Sequence, residues 1–259
     1  MDDTEIARRA TIFGSDAAGY DEARRPFPPF VFELAQQLLG TMPSDLPLYD
    51  VGCGTGIATR ILATLERRPI LGFDADERML EVARCREPRV HFAAARASSL
   101  PVRDSSGAGI TCFSSFHWFA QDDTVREFRR ALVPHGLVFI ANKIVTGGVG
   151  VDYKHVIERL SSWKIIDMRR SGRYEPAALL ARSGCSHVTD TYVPFEESYT
   201  VREAVAHIHS TSVWKHFTDH AGSELRTEAE NEIRNICERS SRGGHVTVPM
   251  QIRIVHAVT

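Results

Sequence analysis

The stretch LYDVGCGTGIATRIL, residues 48–62, constrains this chain more than any other. Leu48, Tyr49 and Val51 suit a short interior strand. Gly52, Gly54 and Gly56 follow at every second position, and Ile57, Ile61 and Leu62 then recur at helical spacing. Glycine lets the chain turn sharply and lets a ligand approach the backbone with no Cβ in the way. The helix behind it presents N–H groups at its first turn. Strand, glycine turn and helix together predict a cradle for a nucleoside-bearing small molecule. Dinucleotide binders use G-x-G-x-x-G against a pyrophosphate. Here the pattern is Asp50-x-Gly52-x-Gly54-x-Gly56. A carboxylate at the strand end repels an anion, so a cationic or zwitterionic ligand suits this turn.

Downstream residues extend the same frame. A second strand at 70–73 ends in Asp74, 22 residues past Gly52 and 18 past Gly56. A carboxylate about 20 residues beyond a glycine turn is placed to accept hydrogen bonds from ribose hydroxyls. Asp76 reads as the N-cap of a helix to about Cys85, with Met79, Leu80 and Val82 inward. Strands follow at 90–93, 110–113 and 137–141, with a helix at 124–132 capped by Asp122 or Asp123 and stopped by Pro134-His135-Gly136. Strands alternating with helices imply βαβ units and a parallel sheet with right-handed crossovers. Ser114, Ser115, Phe116, His117 and Trp118 then fall at a strand's C-terminal end, where open parallel sheets bind ligands. His117 is either a general base or a packed histidine. Trp118 reads as a pocket wall whose indole face attracts a cation.

These motifs resemble those of class I S-adenosylmethionine-dependent methyltransferases, in the small-molecule (type 11/25-like) branch. DVGCGTG is similar to that family's first motif, and GFDADERML to its second, with Asp76 in place of a serine. Tyr20 with Arg25-Pro26-x-Pro28 is similar to an N-terminal signature lying over the cofactor site. The frame continues through Leu100-Pro101 to His117-Trp118-Phe119. Three places depart. Arg96-Ala97 stands where members have Asp-Ala, the Asp holding the adenine amino group, and an arginine cannot accept that bond. Ser98, Ser99 or a backbone carbonyl would have to substitute. Gly107-Ala108 stands where members have Phe-Asp, and His135 replaces a glycine in the corner before the fifth strand.

The resemblance implies an α/β, Rossmann-like, seven-stranded, mostly parallel sheet with helices on both faces and a helical cap. It implies S-adenosyl-L-methionine as cofactor and transfer of its methyl group to a small-molecule acceptor, a carboxylic acid or natural product, by in-line displacement. Asp50, Gly52, Cys53, Gly54 and Gly56 would bind the methionine end. Asp74 would hold the ribose, Met79 and Ala97 would flank the adenine, and Ala75, Ser98 and Ser114 would also bind the cofactor. Tyr20, Arg25 and His117 would border the transferred methyl, Arg25 orienting an acidic acceptor, with Trp118 and Trp214 as further acceptor walls. The alternative is a cofactor-binding protein with other chemistry, such as a cyclisation, or an inactive binding subunit. RNA modification and nicotinamide redox chemistry come behind.

The remaining chain is expected to cover this core. Gly147, Gly148 and Gly150 make a joint, followed by a helix at 153–163 and a basic cluster of Lys164, Arg169, Arg170 and Arg173. A helix at 175–183 and a strand at 187–195 follow. Residues 197–241 read as wholly helical, opened by a Thr200/Glu203 capping box. His207 and His209 are two apart and point to different sides of a helix, which argues against a metal site. The final strand alternates from Val246 to Ile254, with regular pairing expected after Pro249. A single domain is expected, with core at about 30–142, 174–196 and 245–259 and cap elements at about 1–29, 143–173 and 197–241. The net charge of −2 gives no long-range attraction to nucleic acid or an acidic membrane. No apolar run approaches a membrane span, and from the polar N-terminal residues no secretory signal is expected. The five cysteines show no C-x-x-C pairing and read as reduced thiols of a cytoplasmic protein.

Overall fold

The computed structural model describes residues 12–161 and 174–259. The basic cluster at 164–173 and the end of the helix expected at 153–163 lie outside the described residues, as do residues 1–11. Seven strands form one sheet in the order β3-β2-β1-β4-β5-β7-β6. They are β1 (Leu48–Val51), β2 (Ile70–Asp74), β3 (His91–Ala94), β4 (Gly107–Phe113), β5 (Leu132–Val145), β6 (Ser186–Thr200) and β7 (His245–Val258). The first five pair in parallel, and β7 enters antiparallel between β5 and β6.

Ten α-helices accompany the sheet. They are α1 (Ala17–Ala23), α2 (Pro29–Leu39), α3 (Ile57–Leu65), α4 (Glu77–Arg86), α5 (Asp122–Ala131), α6 (Val149–Ser161), α7 (Pro176–Arg182), α8 (Val201–His209), α9 (Ser212–His220) and α10 (Ser223–Ser240) among the described residues. The period-two alternation of β5 sorts its side chains onto two faces. Leu137, Phe139 and Ala141 pack with α2 and α3. Val138 and Ile140 pack with Val125, Phe128 and Ala131 of α5 and with Leu179 and Leu180 of α7. The helix starts follow local chemistry. Pro29 opens α2, the Asp76 carboxylate accepts the Arg78 N–H at 3.1 Å, and Thr200 and Glu203 form a reciprocal capping box on α8.

A second core lies beyond the sheet. Tyr153 and Ile157 of α6, residues of α8 to α10, and the first half of β7 (Val246, Val248, Met250) build the cap. Three expectations are corrected here. Residues 197–200 are strand rather than helix, because β6 stays paired to β7 as far as Thr200↔His245. Residues 201–240 form three helices, broken at Ser210 and Ala221. Pairing of β7 also runs through Pro249, which opposes Glu196. Its carbonyl accepts from Thr146, so the missing N–H of Pro249 points to the side where β5 has already ended. In β5 the strand starts at Leu132, directly after α5, with a register shift at the corner, and His135 takes a φ of +65° there.

Gly107-Ala108 lies at the end of β4 remote from the C-terminal strand tips. A Cβ on Gly107 would stand 2.3 Å from the Tyr49 ring, so Tyr49 fills that space and this departure belongs to the core. All five cysteines are free. No helix among the described residues is long and apolar enough to cross a membrane.

Candidate functional site

Strand order reverses beside β1: the chain runs to β2 and β3 on one side and to β4 and β5 on the other. Such a switch point opens a crevice outside the strands' C-terminal ends. A cleft of about 700 Å³ lies there. Its floor is the glycine turn and the tips of β1, β2 and β4, and its roof is the arm at 13–27 with parts of α6, α8 and α9.

The turn is built on left-handed backbone, with φ of +71° at Gly52 and +56° at Gly54. Gly52 has a second constraint, since a Cβ there would stand 2.5 Å from the Ser115 Cβ. Gly54 is different. A Cβ there would meet only the Met79 methyl, at 3.3 Å, so its bare face is a cradle. Two acids lie under the turn. Asp50 is buried and accepts from the Thr59 hydroxyl at 2.5 Å and the Thr111 hydroxyl at 3.0 Å. Burial pushes its carboxyl up to about 6, against the lowering effect of those two hydroxyls. Asp74 accepts from the Gly54 N–H at 2.8 Å and the Asp76 N–H at 2.9 Å, one on each oxygen. Each oxygen keeps a lone pair for a further donor. Burial raises Asp74 too, and the Cys53 thiol beside both acids is pushed up by burial and then by their charges. The Thr55 hydroxyl is buried and has no hydrogen-bond partner among the described residues. This end of the cleft therefore has acceptors, an unmatched hydroxyl and an open backbone face. That set fits a ligand with a cationic amino-acid tail and a sugar.

Ala75, Met79, Ala95 and Ala97 line the adjoining edge, an apolar slot suited to a flat ring. Ser114 stands at the β4 tip with φ of +53°, a strained conformation that the Ser114 N–H bond to Ala141 holds at 2.7 Å. His117 and Trp118 lie in a short 3-10 turn. His117 sits between the rings of Trp118 (5.4 Å) and Tyr174 (5.9 Å). Tyr20 on α1 packs on Phe13 at 5.1 Å, and Phe13 on Trp118 at 5.8 Å. Above them is a polar network. The half-buried Lys143 ammonium donates to the Arg25 and Pro26 carbonyls and to Glu197, and the Tyr199 hydroxyl donates to Glu197. Burial, followed by the charge of Arg24, pushes His207 down to about 3, so it is neutral.

The structure brings together Tyr20, Arg25, Asp50, Gly52, Cys53, Gly54, Asp74, Ala75, Met79, Ala97, Ser114, His117 and Trp118. Gly56, Ser98 and Trp214 do not line the cleft. Gly56 backs onto Phe92 and Ala83, and Ser98 faces solvent, so it does not replace the acceptor missing at the exposed Arg96. Trp214 is a correction to the acceptor wall: it is buried in the cap core, stacked on His209 at 4.3 Å. Its neighbours Ser212 and Val213 face the cleft instead. Sequence reasoning missed Phe13, Arg24, Lys143 and Tyr153 as lining residues. Only Arg24 carried a signal, its adjacency to Arg25. No cluster of three metal-ligating side chains occurs among the described residues.

Comparison with known proteins agrees with this geometry. Residues 49–140, from β1 into β5, match the model of a methyltransferase domain. An uncharacterised methyltransferase of Schizosaccharomyces pombe is 29% identical over 124 residues, covering 48% of this chain and 49% of its own. A trans-aconitate 2-methyltransferase of Sinorhizobium fredii is 34% identical over 126 residues, covering 46% of this chain and 45% of its own. The chain thus spans about half the length of the curated relatives it matches. Two solved structures share the fold. The YcgJ protein of Bacillus subtilis has a TM-score of 0.57 at 18% identity, covering 89% of this chain and 98% of its own. Phosphoethanolamine N-methyltransferase 2 of Haemonchus contortus has 0.58 at 16%, covering 98% and 59%. The matched methyltransferase domain thus lies over the parallel strands and the glycine turn, and the two solved structures share the fold around it.

Proposed function

We propose that this protein transfers a methyl group from S-adenosylmethionine to a small-molecule acceptor, a carboxylic acid or natural product, held in the upper half of the cleft. The observation that carries the reading is Asp74 bridging the glycine turn, with lone pairs left on a carboxylate that burial keeps short of water. The bound cofactor supplies an electrophilic methyl carbon on a positively charged sulfur. Asp74 would accept the ribose hydroxyls, the bare face of Gly54 would let the amino-acid tail lie against the backbone, and Met79 with Ala97 would flank the ring. Asp50, locked between two threonines, holds the turn and supplies negative charge beneath it. Tyr20, His117 and Trp118 would border the methyl, where the chain's work is orientation and exclusion of water. His117 would take the acceptor's proton where the nucleophile carries one.

The trans-aconitate relatives favour a carboxylic acid, and the net charge of −2 favours a small molecule over RNA. A cytoplasmic setting is proposed with it, from the free cysteines. The exposed Arg96 supports a second reading, a protein that binds the cofactor without methylating. Incubation with methyl-labelled cofactor and a panel of small acids and phenols separates the two. Calorimetry with S-adenosylhomocysteine tests both: binding is expected for the parent and at least tenfold weaker binding for Asp74→Ala. Equal affinity in the two proteins, or none in either, would overturn this assignment.

A further inference from the structure

Arg24 and Arg25 both line the cleft, but their charges are handled differently. Arg25 is compensated by Glu203 at 3.2 Å. It also donates to the Ser198 carbonyl and lies 4.2 Å from the centre of the Tyr199 ring. Arg24 has no carboxylate partner among the described residues. One terminal nitrogen donates to the Ser210 carbonyl at 3.0 Å, and its Nε is buried without a hydrogen-bond partner among them. An unmatched buried donor is costly, more so on a charged group. The nearby cation Lys143 is already paired with Glu197, and His207 is neutral. The carboxylates on the cleft wall, Asp50 and Asp74 among the described residues, are both at the glycine turn. From Arg24, whose guanidinium lies 5.2 Å from the Tyr20 ring centre, aromatic rings lead through Tyr20, Phe13 and Trp118 to His117.

We propose that Arg24, rather than Arg25, recognises the methyl acceptor, and that the acceptor is an organic acid with an apolar body. Its carboxylate lies on the terminal Arg24 nitrogen that Ser210 does not use, and its body lies along Tyr20, Phe13 and Trp118. Guanidinium and carboxylate match in geometry and charge. The inference rests on the cleft being a methyl-transfer site and narrows its acceptor.

The test uses the full chain saturated with S-adenosylhomocysteine and matched probes: trans-cinnamate against cinnamamide, hexanoate against hexanamide, and phenyl phosphate. Dissociation constants come from calorimetry or from quenching of tryptophan fluorescence. The parent is expected to bind each acid at least tenfold more tightly than its amide. Arg24→Gln should bring that ratio close to one while S-adenosylhomocysteine affinity stays within about twofold, and Arg24→Lys should keep part of the ratio. A purely structural tie between the arm and Ser210 would weaken acid and amide alike and leave the ratio unchanged. The proposal is overturned if the parent does not discriminate, if no acid binds at millimolar concentration, or if phenyl phosphate binds more tightly than the acids. It is equally overturned if Arg24→Gln keeps the ratio while Arg25→Gln loses it. Loss of S-adenosylhomocysteine binding by the parent would instead count against the methyl-transfer reading itself.

Discussion

Gly52 and Gly54 share a left-handed backbone and a sequence motif, yet their surroundings predict different consequences for the same change. Alanine at either position carries the left-handed strain of an L-residue, about 1–2 kcal/mol. At Gly52 the new methyl would also stand 2.5 Å from the Ser115 Cβ, far inside the contact distance of about 3.5–4.0 Å between carbons. Ser115 cannot give way freely, because its hydroxyl donates to the Val51 carbonyl at 2.9 Å. Overpacking of this kind adds about 1–3 kcal/mol. Gly52→Ala is therefore expected to lose about 2–5 kcal/mol, a large share of a typical total of about 5–15. At Gly54 the methyl meets only the flexible end of Met79, so Gly54→Ala should lose about 1–2 kcal/mol, and its methyl would occupy the cradle. The assay is thermal unfolding with and without S-adenosylhomocysteine at about 100 times the parent's Kd, where one bound ligand stabilises by about 2.7 kcal/mol. A tenfold weaker site keeps only about 1.4 kcal/mol of that. Gly54→Ala should melt a few degrees below the parent without ligand and lose about half of the ligand-induced rise in Tm. Gly52→Ala should fall well below both without ligand. If Gly54→Ala kept the parent's full ligand response, the bare face of the turn would not lie against the cofactor, and the reasoning would be refuted.

Three further outcomes are expected. Asp50 is raised to about 6 from 3.8, so the fold holds its proton more tightly than the unfolded chain. The stability this group contributes is present below about pH 4 and lost as pH rises through about 6, amounting to about 3 kcal/mol. Asp50→Asn should then be more stable than the parent at pH 7.5, with the gain vanishing near pH 4, and a pH-independent difference in denaturant melts would count against it. Lys143→Met leaves Glu197 buried beside Tyr199 without its cation and should cost about 3–5 kcal/mol; adding Glu197→Gln should recover part of it, and strict additivity in a double-mutant cycle would contradict the pairing. Trp214→Ala removes a buried ring from the cap core and should cost about 3–5 kcal/mol with S-adenosylhomocysteine affinity unchanged by calorimetry, whereas specific loss of acceptor binding with unchanged Tm would restore it to the cleft wall.

What could be read from the sequence was what neighbouring residues decide together. The β1 strand, its turn and α3 are contiguous, and the Gly52-to-Asp74 spacing is set by a single βαβ unit. Pro29 and the Thr200/Glu203 box announce helix starts through bonds that span only a few residues. The misreadings have long-range causes. Glu196 and Glu197 look like the approach to a helix, but Glu197 is buried strand because Lys143, 54 residues away, neutralises it. Pro249 looks like a break in β7, but the neighbouring strand ends just where its N–H would be needed. Trp214 lies on an amphipathic helix, and the pattern says that one face is buried without saying whether that face meets the cleft or the cap core.

The same distinction separates the two halves of the cleft. The cofactor end is assembled almost wholly within 50–79, so its chemistry follows from one stretch. The acceptor end converges from 13–27, 113–118, 142–154 and 207–213, and no local pattern tells which of two adjacent arginines keeps an unspent charge. Arg25 is neutralised by a glutamate at the start of α8, whereas Arg24 reaches a backbone carbonyl at the end of that helix. One helix thus compensates one arginine and leaves the other charged. On the proposed reading, the charge that an acceptor must carry follows from the position of α8 over the arm, which tertiary packing determines.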